Sequence, residues 1–135
     1  MQAQPSRRIV ELDRPDPKVS AVAKKTFFRI MDRWQVRTED GRKLLGSPSR
    51  ATFFAWKKGH GGTLSRDTLE RVSYVIGIYK GLQILFPEPS QADAWISKPN
   101  EAFAGQSAVE RMTAGNVIDL HVVRAYIDHV RGGRS

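Results

Sequence analysis

An all-α protein is what this 135-residue sequence predicts. Three observations carry that expectation. Apolar residues recur at steps of three and four along most of the chain, capping residues and glycine stops punctuate those runs, and no segment alternates apolar with polar residues as a half-buried strand does. The expected organisation is a tail at residues 1–17, a helix-turn-helix domain at 18–86 and a smaller helical domain at 87–135.

The tail is expected because Pro5, Pro15 and Pro17 interrupt a stretch of mixed charge, although Ile9, Val10 and Leu12 offer it something to dock with. From Lys18 a single apolar stripe of Val19, Val22, Ala23, Phe27, Ile30, Met31 and Trp34 predicts the first helix, with Lys24, Lys25, Arg29 and Arg33 off the stripe. Thr38 is the expected cap of a second, short helix that buries Leu44 and Leu45 and stops at Gly46. Ser47 as cap and Pro48 at the first helical position predict a third, which ends in Lys57-Lys58-Gly59. Ser65 caps a fourth, striped by Leu69, Val72, Ile76, Tyr79, Leu82 and Phe86 and ended by Pro87. Ser90 is the expected cap of a short helix holding Trp95 and Ile96. Ser107 and Glu110 form a capping box for the next. Val117, Leu120, Val123, Ile127 and Val130 stripe a last helix, closed by Gly132 and Gly133.

The charge is segregated. Residues 1–66 hold 15 Lys/Arg against 6 Asp/Glu, whereas residues 67–135 hold 7 against 8. Solubility asks for charge but not for one-sided charge, so the front half points to a polyanion and the rear half to another task. The third helix sharpens this. At ~100° per residue, Phe53 and Trp56 fall together and suit a core, while Arg50, Phe54, Lys57 and Lys58 gather on another side. Two basic arms around an aromatic suit a major groove, where arginine pairs with guanine and a phenyl ring touches a thymine methyl. The short second helix, the tight connection and this third helix make a helix-turn-helix with the third in the reading position. Arg50 and Lys57 are expected to lean toward base edges, and Ser47, Ser49, Lys58 and His60 to hold phosphates. For Phe54, packing on a neighbouring helix is the plain alternative.

Catalytic constellations are missing. The chain has no cysteine, which excludes disulfides and thiolate metal sites and fits a reducing cytoplasm. His121 and His129 lie eight apart, beyond the i,i+4 spacing of a shared metal, and the glycines at 59–62 lack the Gly-Lys-Ser/Thr ending of a P-loop. We expect no enzyme activity, no cofactor and no metal. The N-terminus has no apolar signal core, and no run nears the ~20 apolar residues of a membrane span, so a soluble cytoplasmic protein is expected.

In the rear half, Trp95, Pro99, Asn100, Phe103, Gly105 and Ser107 occur in an order that resembles the C-terminal toxin-binding region of the Xre/ParS-type antitoxins, and Met112, Gly115, Val123, Ile127 and Gly132 continue it. The similarity spans roughly residues 65–133, and the helix-turn-helix before it completes the expected order. One departure is Ala108, where the family usually has proline. Much of the motif reads equally as scaffold: a helix stop, two turns and an anchoring ring. The resemblance implies a partner toxin with a RES domain that consumes NAD. It also implies a C-terminus reaching into the toxin's active-site mouth, and a complex that represses its own promoter by binding operator DNA. The rear half's apolar stripes, more than so few residues need, are expected to be covered by the toxin or by a second copy in a homodimer. Carried onto this chain, Arg131, Gly132, Gly133, Arg134 and Ser135 become the candidate plug, for which a frayed tail is the alternative. A stand-alone regulator whose rear half only dimerises, and an adaptor that binds no DNA, remain the other readings of the sequence.

Overall fold

The computed structural model describes residues 16–132. Among these it is helical, with one isolated bridge between Pro99 and Ser107 and no strand. Helix α1 is Pro17–Trp34, α2 Thr38–Leu44, α3 Arg50–Lys57 and α4 Arg66–Leu85. A second group follows: α5 Pro89–Trp95, a 3-10 turn at Glu101–Phe103, α6 Ala108–Met112 and α7 Val117–Gly132. The all-α expectation holds.

Helix α4 is the axis. It packs on α1 from the front half and on α5 and α7 from the rear half, while α2 touches α6 directly. One hydrophobic core therefore runs through both halves, from Phe27, Trp34 and Phe53 to Val75, Ile78 and Leu82 and on to Leu120, Val123 and Ile127. Being covered on two sides widens the buried face of α4. Its fully covered residues are Thr68, Val72, Val75, Ile78, Gly81 and Leu82, and of the predicted stripe Leu69, Ile76, Tyr79 and Phe86 are only half-buried.

The close approach of α7 requires glycine. A Cβ on Gly81 would lie 2.5 Å from Ile127 Cγ2, too near for any side chain without displacing the facing helix.

Several local expectations are corrected. Asp16 and Pro17, placed in the tail, are the N-cap and first residue of α1: the Asp16 side chain accepts from the Lys18 amide at 2.8 Å. Val19 and Val22 are exposed, and Lys24 is buried. The reason is the chain that docks alongside. The Leu64 amide donates to Ser20 Oγ at 2.9 Å, and the Lys24 ammonium donates to the carbonyls of His60 (2.8 Å) and Gly62, so polar bonds to a loop choose which side of the helix turns inward. Arg37, not Thr38, stands at the N-cap of α2, and Glu88, not Ser90, at that of α5, with Pro89 in its first turn. Helix α7 runs to Gly132, the last described residue.

The rear-half motif is mostly scaffold. Asn100 Oδ1 accepts from the Ala102 amide at 2.8 Å, and the Asn100 carbonyl accepts from the Phe103 and Gly105 amides, both at 3.0 Å. Phe103, Trp95 and Tyr126 form an aromatic cluster in which Trp95 stacks on Tyr126 with centroids 6.1 Å apart. The capping box forms as expected, and Ala108 fills the first position of α6 fully buried.

Candidate nucleic-acid and partner interfaces

The connection between α2 and α3 places the basic helix. Gly46 and Ser47 both take left-handed backbone angles (φ 87° and 59°), and the Ser47 amide bonds back to the Arg42 carbonyl at 2.8 Å. Ser47 therefore ends the α2 turn instead of capping α3. The cap is Ser49, whose hydroxyl accepts from the Thr52 amide at 3.1 Å and donates to Thr52 Oγ1 at 2.9 Å. The Ser49 hydroxyl is thus engaged as the cap of α3, on a residue that remains exposed. The turn itself is stapled by Arg42, whose guanidinium donates to the Pro48 carbonyl at 3.0 and 2.9 Å and pairs with Glu39 at 2.7 Å. The i,i+3 spacing of Glu39 and Arg42 shows in the sequence as an ordinary surface pair, whereas the staple to the Pro48 backbone carbonyl leaves no mark in the spacing of residue types.

On α3, Phe53 is buried and Trp56 half-buried, as the wheel predicted. Phe54 is not the free aromatic of that wheel. It packs against the core edge-on to Phe53 with centroids 5.6 Å apart, and the Arg50 guanidinium lies 5.6 Å over its ring. Arg50 also pairs with Glu39. The structure thus holds Arg50 on the surface between a ring and a carboxylate, and that carboxylate competes with any phosphate. Lys57, Lys58 and His60 are exposed around the end of the helix.

The loop after α3 is tightly built. The His60 amide bonds to the Ala55 carbonyl at 2.8 Å, and Gly61, at φ 90°, lies so close to Trp56 that a Cβ would fall 2.6 Å from the indole. Lys24 holds this loop from α1. Sequence periodicity missed it because a lysine with its ammonium on backbone carbonyls looks, in the sequence, like a solvated one.

In the rear half, α4 covers most of the apolar stripes. Exposed large apolar groups among the described residues include Ile84 at the end of α4 and Ile118 on α7. Ile84, Leu85, Asp128, Arg131 and Gly132 line one groove of about 390 Å³. Of the candidate plug, Arg131 and Gly132 form the exposed last turn of α7, and Gly133, Arg134 and Ser135 lie outside the described residues. His121 bonds to the Tyr74 hydroxyl through Nδ1 at 3.3 Å, and no group of three potential metal ligands occurs among the described residues. No helix there is long and apolar enough to cross a membrane.

Two family models match in tandem. Residues 13–77 match the antitoxin Xre-like helix-turn-helix domain, and residues 81–133 match the antitoxin Xre/MbcA/ParS C-terminal toxin-binding domain. The two matches meet inside α4, the helix that both halves share. The chain is also 53% identical, over 107 residues, to the uncharacterized protein y4oB of Sinorhizobium fredii (strain NBRC 101917 / NGR234), which covers 79% of this chain and 82% of that relative.

Proposed function

Since the chain belongs to the Xre/MbcA/ParS antitoxins, with a helix-turn-helix domain and a toxin-binding domain, we propose that it neutralises a RES-domain, NAD-consuming toxin and represses its own promoter. The observation that carries the DNA half is the placement of exposed Arg50, Lys57 and Lys58 on and beside the second helix of the helix-turn-helix. Arg50 reaches a base edge once it leaves Glu39. Lys58, His60 and the Ser47 hydroxyl hold the phosphate backbone. Lys57 joins them, since it lines a groove with Lys58. A homodimer presents two such helices to half-sites ~34 Å apart, so the operator is an inverted repeat.

The toxin half rests on the end of α7. Exposed Ile84 sits beside Arg131 and Gly132, which gives an apolar foothold at the base of the segment 131–135. That segment enters the toxin's active-site mouth, where Arg134 takes an anion or cofactor subsite.

The test is growth of cells that co-express this chain with the toxin encoded next to it. Rescue by the full chain and none by a chain trimmed of residues 131–135 is the expected result. Undiminished rescue by the trimmed chain removes the plug, and failure of the full chain removes the antitoxin assignment for that toxin.

A further inference from the structure

Outside the helix-turn-helix, the N-terminal half of α1 and the end of α3 enclose a groove of about 300 Å³. Lys25, Lys57 and Lys58 line it together with Lys24, Trp56 and Gly59, and no carboxylate does. Lys25, Lys57 and Lys58 are exposed, and none of the three has an ion-pair partner among the described residues. The end of a helix is an unfavourable place for an anion, because its last carbonyls carry partial negative charge. Three exposed lysines lining the groove supply full positive charges against those partial ones. Carbonyls further along the chain, those of His60 and Gly62, are taken up by the ammonium of Lys24, a residue only 6% exposed.

We propose that this groove is a phosphodiester clamp. In it Lys25, from a helix outside the helix-turn-helix, grips the DNA backbone together with Lys57 and Lys58, and Lys24 is the positioning residue that ties down the His60 and Gly62 carbonyls. The proposal rests on the DNA-binding reading and extends it to a part of the chain that reading did not use. A phosphodiester is the occupant because the groove offers point cations, each suited to one non-bridging oxygen, at the edge of the helix placed to enter a major groove. A second cationic groove, lined by Arg29, Arg33, Tyr79 and Lys80, opens on a different face of α1 and serves as an internal control.

The experiment measures affinity against salt concentration for two duplexes, one from the chain's own promoter and one of shuffled sequence. Each phosphate contact contributes ~0.9 to the slope of log K on log salt. Lys25→Gln is expected to lower the slope by about that amount on both duplexes and to leave their affinity ratio unchanged. Lys24→Met is expected to weaken both duplexes although Lys24 touches neither, while growth rescue against the toxin persists. Lys80→Gln is expected to change neither slope. An unchanged slope in Lys25→Gln overturns the clamp while leaving DNA binding in place, as does an equal loss in Lys80→Gln, which would mean diffuse charge. If Lys24→Met loses its cooperative melt, the comparison of Lys25→Gln with Lys80→Gln decides alone. A wild-type chain that binds neither duplex removes the DNA-binding reading and the clamp with it.

Discussion

Glu39 is the residue on which the behaviour of the reading helix turns. It pairs with Arg42, which staples the connection to α3, and with Arg50, which is to meet the base. Both pairs are partly exposed, so each is a weak stabiliser, but in the proposed DNA complex the carboxylate repels incoming phosphates. Replacing it with glutamine is expected to tighten binding to promoter and shuffled duplexes alike by about two- to fivefold, the equivalent of ~0.5–1 kcal/mol, in a shift titration. Arg50→Ala behaves differently. It is expected to cost ~1–3 kcal/mol on the promoter duplex and little on the shuffled one, and to relax preference at a single base pair. Equal losses on both duplexes would make Arg50 a phosphate contact. Phe54 and Ser49 teach the limit of reading such a short helix on a wheel. The wheel separates directions but not contacts: Phe54 lies edge-on to Phe53 and against the core, and the Ser49 hydroxyl bonds to Thr52 within the same helix.

At the level of elements, α4 decides how the two halves fit. Its contact with α7 closes over Gly81, so Gly81→Val is expected to push Ile127 aside and lower stability by ~1–3 kcal/mol, read as a drop in melting temperature with helical content kept. An unchanged melting temperature would show that α7 moves away without loss. A glycine inside a helix reads in sequence only as a weak point, because the facing residue that makes it necessary lies more than forty positions away. The helices themselves were legible, since their period and the caps Ser65 and Ser107 are local signals. The inward side of α1 was not, because it is set by hydrogen bonds from Ser20 and Lys24 to a loop some forty residues on. Ser47 failed as a cap for a similar reason: the turn before it ran one residue longer than Gly46 alone suggests.

Across the whole molecule, one core joins the cationic front to the rear half. Arg71 of α4 illustrates the link: its guanidinium donates to the Gly115 carbonyl at 3.1 Å, and its side chain runs against Gly46 in the helix-turn-helix connection. A continuous core of this kind predicts a single cooperative unfolding transition, with tryptophan fluorescence and far-ultraviolet circular dichroism coinciding, since Trp34 and Trp56 report the front and Trp95 the rear. Two separated transitions would mean that the halves fold independently. The charge asymmetry and the tandem order of the two functions were legible in composition and motif. How the halves share a helix was not, because periodicity along α4 shows one broad apolar face without saying which neighbour takes which part of it.

Two surfaces on one rigid chain lead to a direct measurement: sedimentation of this protein mixed with the adjoining toxin and a duplex from its own promoter. Arg50, Lys57 and Lys58 lie on the front half, and Ile84 and Arg131 at the end of α4 and α7, so the account predicts one boundary containing all three components. A mixture in which toxin and DNA each bind alone but displace one another, or in which the protein binds only one of them, would contradict it.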